Sequence, residues 1–285
     1  FGGIYESGTE QSRRKTKKEL SLFLITRGLW LIAVDLTMMS LGLTADIHFS
    51  IFVLETLWSI GAGMLILGLV IRFPYPVILA LGLLIIFGHN LLDFAERSRT
   101  NGVPVWWSLM HRPAIIPLWG NHSLFILYPF LPWAGLTLVG YCCGRLFTDT
   151  DLSYRKKILL ITGVSALLFF VVVRTINVYV NPVPWSKQDN ITATFFSFMN
   201  VQKYPPSLLF LCATLGPVLI VLALLKDQVS SRLGRIVIVY GRVPLFFFIV
   251  HFYILHIATI IAYLLRGHSL QEGMTGVPGV PFKFA

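Results

Sequence analysis

The chain has little charge and few cysteines. Only 13% of its 285 residues are charged, about half the share typical of soluble domains. Hydrophobic residues make up 55% of the chain and the mean hydropathy is +0.74. That much apolar surface argues against a soluble globular domain, because one water-soluble core could not bury it, and also excludes a disordered or collagen-like chain.

Several chemical motifs are missing as well. The three cysteines, Cys142, Cys143 and Cys212, lie in apolar runs and have neither metal-ligand spacing nor the pattern of a disulfide framework. The sequence contains no dinucleotide-binding glycine fingerprint, no P-loop and no nucleophile elbow. His251 and His256 are five residues apart and do not share a helix face as an i, i+4 pair would. We therefore predict no metal site.

The net charge of +10 does not indicate a nucleic-acid partner. The basic residues form short clusters between apolar runs, which is how the loops of a membrane protein are oriented. No basic stripe is interleaved with aromatic residues. The partner that these clusters indicate is a lipid bilayer with anionic headgroups.

Apolar runs long enough to span a bilayer dominate the chain. A spanning helix needs about 20 mostly apolar residues, and backbone groups in lipid must be satisfied within the segment. We therefore predict an all-α fold, a polytopic transmembrane helical bundle in which residues 1–285 form a single transmembrane domain. The seven predicted spans cover residues 20–44, 50–71, 75–93, 124–146, 157–179, 207–226 and 236–265.

Lysine and arginine are distributed unevenly about these spans. If the basic segment at 13–18 is cytoplasmic, fourteen Lys and Arg residues lie on the cytoplasmic side and seven on the other. This bias matches an alternating seven-helix threading. The long loops at 94–123 and 180–206 then lie on the outer face. Long, aromatic-rich loops often bind ligands or form lids, and we expect the first to cover part of a cavity.

Polar residues inside the spans concentrate at one depth. Ionisable residues within a membrane are costly and are candidates for function. The polar residues in the outer half, or just below it, are Asp35, Glu55, His89, Asn90, His122, Arg174, Asn177, His251 and His256. This set predicts a water-filled cavity that opens outward. The alternative is a scatter of polar contacts between helices.

Six stretches in order resemble one known family. They read LITRGLWL at 24–31, LWSIGAGM at 57–64, IFGHNLL at 86–92, LYPFLPWAGLTLVGYCCGRL at 127–146, YPPSL at 204–208 and YGRVPLFFFIVHFYILH at 240–256. The set resembles the bacterial membrane family related to the catalytic domain of heparan-α-glucosaminide N-acetyltransferase. This resemblance covers nearly the whole chain.

The resemblance implies a membrane acyltransferase of the bacterial cytoplasmic (inner) membrane. Acetyl-CoA would be used from the cytosolic side, and an amino sugar or another cell-envelope glycan or lipid headgroup would be acetylated on the other side. The resemblance also implies that the chain is truncated at both ends, with the family's proposed catalytic histidine before Phe1. On that basis the chain alone is expected to be inactive.

Acyl transfer needs a general base and donors for an oxyanion. The residues available for catalysis are His251, His89 and His122. Predicted substrate-binding residues are Asn90, Asp35, Arg174, Tyr128 and Trp133. Arginines placed by topology near the cytoplasmic mouth could bind the CoA phosphates, namely Arg27, Arg145, Arg235 and Arg242. For each of these polar residues the alternative is a structural interhelical hydrogen bond.

Two other functions fit a polar cavity in a helical bundle. A transporter or permease for a small polar solute would use the same cavity, but transporters often show internal repeats and broken helix pairs, and neither is clear here. A non-catalytic membrane scaffold would leave the polar set in the outer half without a role.

Overall fold

A computed structural model describes residues 16–97, 104–177, 184–225, 232–267, 269, 274–277 and 280–282. The described part is mainly helical. Its α-helices are α1 Lys17–Val34, α2 Ser40–Thr44, α3 Thr56–Val70, α4 Tyr75–Gly88, α5 Leu92–Arg97, α6 Val105–Met110, α7 Leu131–Cys143, α8 Arg145–Thr148, α9 Leu152–Ile176, α10 Ile191–Met199, α11 Leu208–Leu224, α12 Arg232–Arg242 and α13 Pro244–Leu265. A π-helical segment, Asp35–Met39, joins α1 to α2, and a 3₁₀ turn, His89–Leu91, joins α4 to α5.

Four helical stretches of the described chain are long and apolar enough to cross a membrane. They are Lys17–Thr44, Tyr75–Phe94, Leu152–Ile176 and Pro244–Leu265. They support an integral membrane protein, but the seven predicted spans are not confirmed. In the runs at 50–71, 124–146 and 207–226 the helices are the shorter α3, α7 and α11.

A small sheet accounts for part of this difference and corrects the all-α prediction. The strands are β1 Ile51–Leu54, β2 Ala114–Pro117 and β3 Ser123–Ile126; β3 pairs in parallel with β1 and antiparallel with β2. Short apolar runs such as 51–54 and 124–126 fit a strand as well as a helix, because periodicity cannot separate the two over four residues. A further hairpin pairs β4 Met274–Val277 with β5 Val280–Phe282.

Reciprocal glycine contacts join three helix pairs. A Cβ atom added at Gly28 would lie 2.7 Å from the carbonyl oxygen of Gly61, and one at Gly61 would lie 2.7 Å from that of Gly28. Membrane helices associate through such small residues because apolar side chains gain little over lipid. The three pairs are α1 with α3 at Gly28 and Gly61, α4 with α7 at Gly82 and Gly135, and α9 with α11 at Gly163 and Gly216.

The helix bundle has two chemically different ends. At the end where α1 begins, Lys17 Nζ donates to the Arg72 carbonyl oxygen at 3.3 Å, and the Arg145 guanidinium lies 4.1 Å from the Tyr75 ring centroid. We call this the basic end. The opposite end carries the three-stranded sheet and is called the sheet end. Between them, buried Leu24, Met64 and further apolar residues pack α1, α3, α4 and α7 together.

The predicted span at 236–265 is split into α12 and α13. Val243 separates them, and Pro244 occupies the first position of α13. Proline is favoured at a helix start, whereas the residue before it is disfavoured in helical conformation, so the break follows from the sequence. Helix α13 packs beside the π-helical segment and α2: the Tyr253 hydroxyl donates to the Met38 carbonyl oxygen at 2.6 Å.

Candidate functional site

A hydrogen-bonded carboxylate lies where α4 gives way to α5 at the sheet end. Both oxygens of Asp93 accept hydrogen bonds: Oδ1 from His111 Nε2 at 2.9 Å and Oδ2 from Asn90 Nδ2 at 3.1 Å. The side-chain oxygen of Asn90 in turn accepts from the backbone N–H of Leu208 at 3.0 Å. These bonds tie three separate chain segments together and fix the orientation of the carboxylate.

His111 is the buried partner in this arrangement. It follows the last turn of α6 and is only 1% exposed. Its ring lies edge-on to Trp107, with centroids 5.9 Å apart, and edge-on to His89 at 6.3 Å. Trp107 is held in turn by Glu96, to which its indole N–H donates. Nδ1 of His111 is buried and has no hydrogen-bond partner within the described part of the chain.

A cavity of about 530 Å³ opens beside Asp93, whose side chain is 21% exposed. The two long loops at 94–123 and 180–206 both contribute to its wall. The described lining residues are Asp93, Glu96, Arg112, Pro113, Gln202, Tyr204 and Pro205. The cavity therefore combines two carboxylates, a guanidinium, an amide and an aromatic ring, a set that can bind a polar ligand of moderate size.

An aromatic cluster adjoins this cavity at Tyr204. The Tyr204 ring lies edge-on to Tyr128, with centroids 5.0 Å apart and hydroxyl oxygens 3.3 Å apart. Lys203 Nζ lies 4.9 Å from the Tyr204 centroid and 5.8 Å from that of Tyr128. Its hydrogen bond with Tyr204 favours the ammonium form and raises the pKa of Lys203 despite partial burial. The Trp133 ring is tilted relative to that of Tyr128, with centroids 5.7 Å apart. Two residues predicted to bind substrate, Tyr128 and Trp133, thus lie together next to the cavity.

Asp35 serves as a cap for a neighbouring helix. Its Oδ2 accepts from the backbone N–H groups of Glu55 at 2.7 Å and Trp58 at 3.1 Å, which lie at the start of α3. Such bonds satisfy N–H groups that have no partner inside the helix. Asp35 Oδ1, Glu55 Oε2 and the indole nitrogens of Trp58 and Trp133 are buried without a hydrogen-bond partner among the described residues.

The three histidines predicted to be catalytic lie in different surroundings. His89 Nδ1 lies 3.0 Å from the Ile86 carbonyl oxygen and Nε2 lies 2.9 Å from that of Pro206. His122 belongs to the turn between β2 and β3, with Nδ1 2.9 Å from the Phe49 carbonyl oxygen. None of the three is among the described lining residues of the cavity.

His251 lies on α13. Its Nδ1 is 3.1 Å from the carbonyl oxygen of Phe247, four residues earlier in the same helix. The ring stacks on Phe247 at 5.5 Å and contacts Phe252 at 4.1 Å. The aromatic rings that His251 contacts, those of Phe247, Phe248 and Phe252, all belong to its own helix.

Comparison with known proteins shows to which family the chain belongs. Residues 5–180, more than half of the chain, match the family described as heparan-alpha-glucosaminide N-acetyltransferase, catalytic. The chain belongs to this family. The match includes Asn90, Asp93 and His111, whereas Tyr204 and α11 to α13 lie beyond it. No curated protein and no solved structure matches the chain.

Arg174 was predicted to bind substrate, but in the structure its side chain caps a helix. It is 2% exposed, and its guanidinium donates to the carbonyl oxygens of Ser197 at 3.0 Å, Phe198 at 2.8 Å and Asn200 at 2.9 Å. These carbonyls end α10, where a cation also interacts favourably with the helix dipole. Arg174 thereby fastens α10 to α9.

The arginines predicted to bind CoA are all exposed. Arg27 lies 5.4 Å from the Phe23 ring centroid, and Arg145 stacks on Tyr75 at the basic end. Arg235 and Arg242 lie on α12. No cluster of three or more His, Cys, Asp or Glu side chains that could hold a metal ion occurs in the described ranges.

The pair formed by Asp93 and His111 was absent from the site predicted by sequence. Asn90 and Asp93 are three residues apart, the spacing that places two side chains on one helix face. That spacing indicates the hydrogen bond between Asn90 and Asp93 but not the one between Asp93 and His111. His111 lies eighteen residues beyond Asp93 and meets it only through the fold. No local pattern could have paired them.

Proposed function

We propose that the protein is a membrane acetyltransferase that moves an acetyl group from acetyl-CoA to an amino sugar, or to another acceptor of the bacterial cell envelope. The observation that carries this proposal is the cavity beside Asp93, because it offers an acceptor site next to a fixed carboxylate in a chain of this family. The family membership also favours a transferase over a transporter.

The cavity suits a polyhydroxylated acceptor. Its volume of about 530 Å³ lies within the usual range for small-molecule sites. Asp93 and Glu96 can accept hydrogen bonds from hydroxyl or ammonium groups, while Arg112 and Gln202 can donate. Tyr204 supplies an apolar face, which Tyr128 and Trp133 extend outside the cavity.

The donor would be held by the exposed arginines. Guanidinium groups bind phosphates through paired hydrogen bonds, so Arg145 at the basic end and Arg235 and Arg242 on α12 have the chemistry that CoA phosphates require. Acetyl-CoA supplies a thioester whose C–S bond breaks as the acceptor nitrogen or oxygen bonds to the acetyl carbon; the sulfur leaves as the thiolate and the acceptor proton passes to a base.

The charge asymmetry of the two ends supports one orientation in the membrane. Lys17, Arg72 and Arg145 lie at one end of the bundle, and clusters of this kind normally stay in the cytoplasm. We therefore place the basic end in the cytoplasm of a bacterium and the sheet end on the outer face of its inner membrane. Acetyl-CoA would then reach the protein from the cytoplasm, and the acceptor would be a glycan or lipid headgroup of the envelope.

Labelled acetyl transfer tests this function. The full-length protein in detergent, supplied with [¹⁴C]acetyl-CoA and glucosamine, is expected to form N-acetylglucosamine. Gln202→Trp should raise KM for glucosamine about 10-fold or more by filling the cavity, equivalent to a loss near 1.4 kcal/mol in binding. The matched control is Gln188→Trp in the same loop, where the side chain is exposed and outside the cavity wall.

Two results would contradict the proposal. One is the absence of labelled product from the full-length wild-type protein with glucosamine and with an envelope extract as acceptor. The other is an equal KM in Gln202→Trp and Gln188→Trp, which would mean that the acceptor does not enter this cavity.

A further inference from the structure

We propose that the apolar face of α10 inserts into the membrane leaflet at the sheet end, so that the partner of this surface is lipid. Helix α10 lies in the long loop between two apolar helices, α9 and α11. It is too short to span a bilayer, because its nine residues extend only about 14 Å. Such a contact with lipid does not require the protein to be an enzyme.

One side of α10 exposes large apolar side chains. Ile191, Phe195 and Met199 follow one another at intervals of four residues and therefore lie on one face of the helix. Phe196 flanks that face. Ile191 is 87% exposed, Phe196 65% and Phe195 58%. The helix has no charged residue. A helix face in water normally carries charged or polar residues, so this face fits a hydrocarbon environment better.

Two hydroxyl groups on the other side of α10 are satisfied by the segment just before the helix. The Thr194 hydroxyl oxygen accepts from the backbone N–H of Gln188 at 3.0 Å. The Ser197 hydroxyl oxygen accepts from the backbone N–H of Ser186 at 3.1 Å. Polar groups without a partner make transfer into lipid costly, and these hydrogen bonds remove part of that cost.

The loop that carries α10 is attached to the end of α9 at two points. Asn177, which directly follows α9, bonds to the backbone of Trp185: its Nδ2 donates to the carbonyl oxygen at 2.9 Å, and its Oδ1 accepts from the N–H at 3.0 Å. Further along the loop, Arg174 holds the carbonyl oxygens that end α10. Both attachments lie at the last turn of α9, and they keep α10 beside it.

The contacts of Phe198 show how deep α10 lies along α9. Its ring lies edge-on to that of Phe170, with centroids 5.8 Å apart. Phe170 precedes the end of α9 by six residues, about 9 Å at 1.5 Å per residue. Because α9 is one of the four candidate spans, the last turn of α10 lies beside the apolar length of a helix that can cross the membrane. Interfacial helices are buried to about 5–10 Å, which agrees with this depth.

Insertion of α10 also affects the cavity beside Asp93. Gln202 and Tyr204, two of the residues that line this cavity, follow shortly after α10 in the chain. With α10 in the leaflet, this part of the cavity wall stays near the headgroup layer at the sheet end. A polar ligand can then reach the cavity from the membrane surface.

Spin labels in a bilayer test the depth of α10. The full-length protein, with its three native cysteines replaced by alanine, is labelled at Phe195→Cys and reconstituted in vesicles of phosphatidylethanolamine and phosphatidylglycerol. Oxygen concentrates in hydrocarbon and a nickel chelate stays in water, so the accessibility of the label to each gives its depth. We expect this label about 5–10 Å below the headgroups. The control is Asp189→Cys, at an exposed residue just before α10, whose label should be in water.

The assignment to lipid fails in either of two cases. A Phe195→Cys label that is as accessible to the nickel chelate as the Asp189→Cys label would place this face of α10 in water. A label that neither oxygen nor nickel reaches would mean that another protein segment, or a second copy of the chain, covers the face.

A second measurement uses the unaltered sequence. A phospholipid with a photoreactive diazirine on its acyl chain is added to the same vesicles and activated. Trypsin cleavage after Lys187 and Lys203 releases α10 in one peptide, in which mass spectrometry locates the cross-links. We expect cross-links at Phe195 and Phe196 and none at residues 188–189. Cross-links on α9 without any on α10 would contradict insertion, whether or not the cysteine variants fold.

Discussion

Asp93→Asn is expected to raise KM for glucosamine about 10-fold or more, because the acceptor loses a hydrogen bond to the charged carboxylate that lines the cavity. The size of Asp93 hardly changes, and the helix should fold normally. Steady-state kinetics with labelled acetyl-CoA give kcat and KM separately.

Asp149→Asn provides the control for this charge change. Asp149 is exposed beyond α8, near the basic end, and has no part in the cavity. It should leave KM for glucosamine unchanged. An equal KM for Asp93→Asn and the wild type would mean that the Asp93 carboxylate does not bind the acceptor.

The second large effect is expected from a single methyl group between α1 and α3. Gly61→Ala would place Cβ 2.7 Å from the Gly28 carbonyl oxygen and 2.9 Å from a side-chain carbon of Ile32. Backbone cannot yield as a flexible side chain can, so the helices must separate. Overpacking of this kind typically costs about 1–3 kcal/mol and at times more. Thermal unfolding in detergent, followed by tryptophan fluorescence, should show a lower Tm.

Gly140→Ala is the matched control for that prediction. Gly140 lies within α7, and a Cβ atom there would meet nothing within 4 Å. Alanine favours helix over glycine by up to about 1 kcal/mol, so Tm should stay the same or rise. Similar losses in Tm for the two variants would mean that the Gly28–Gly61 contact does not hold α1 and α3 together.

Composition and loop length predicted the broad features of this molecule. The apolar runs located four candidate spans, and the long loops at 94–123 and 180–206 supply most of the described cavity wall. The sheet escaped prediction because its strands are four residues long, too short for periodicity to separate from helix.

Individual polar residues were harder to assign than the loops that carry them. Asp35, Arg174 and His251 stood out as costly groups within apolar runs. In the structure Asp35 caps α3, Arg174 caps α10 and His251 meets a carbonyl of its own helix. Each partner is a backbone group, and every residue has one, so sequence contains no sign of the pairing. His111 was overlooked for the converse reason: it lies in a loop, and its chemistry depends on Asp93.

The most direct test of the whole account is acetyl transfer in sealed vesicles of known orientation. Orientation can be fixed with a tag in the exposed turn at 149–151, at the basic end. With [¹⁴C]acetyl-CoA supplied at the basic end, labelled product should form only from glucosamine supplied at the sheet end. Product formed only when acetyl-CoA and glucosamine are both at the basic end would contradict an acceptor site in the cavity beside Asp93.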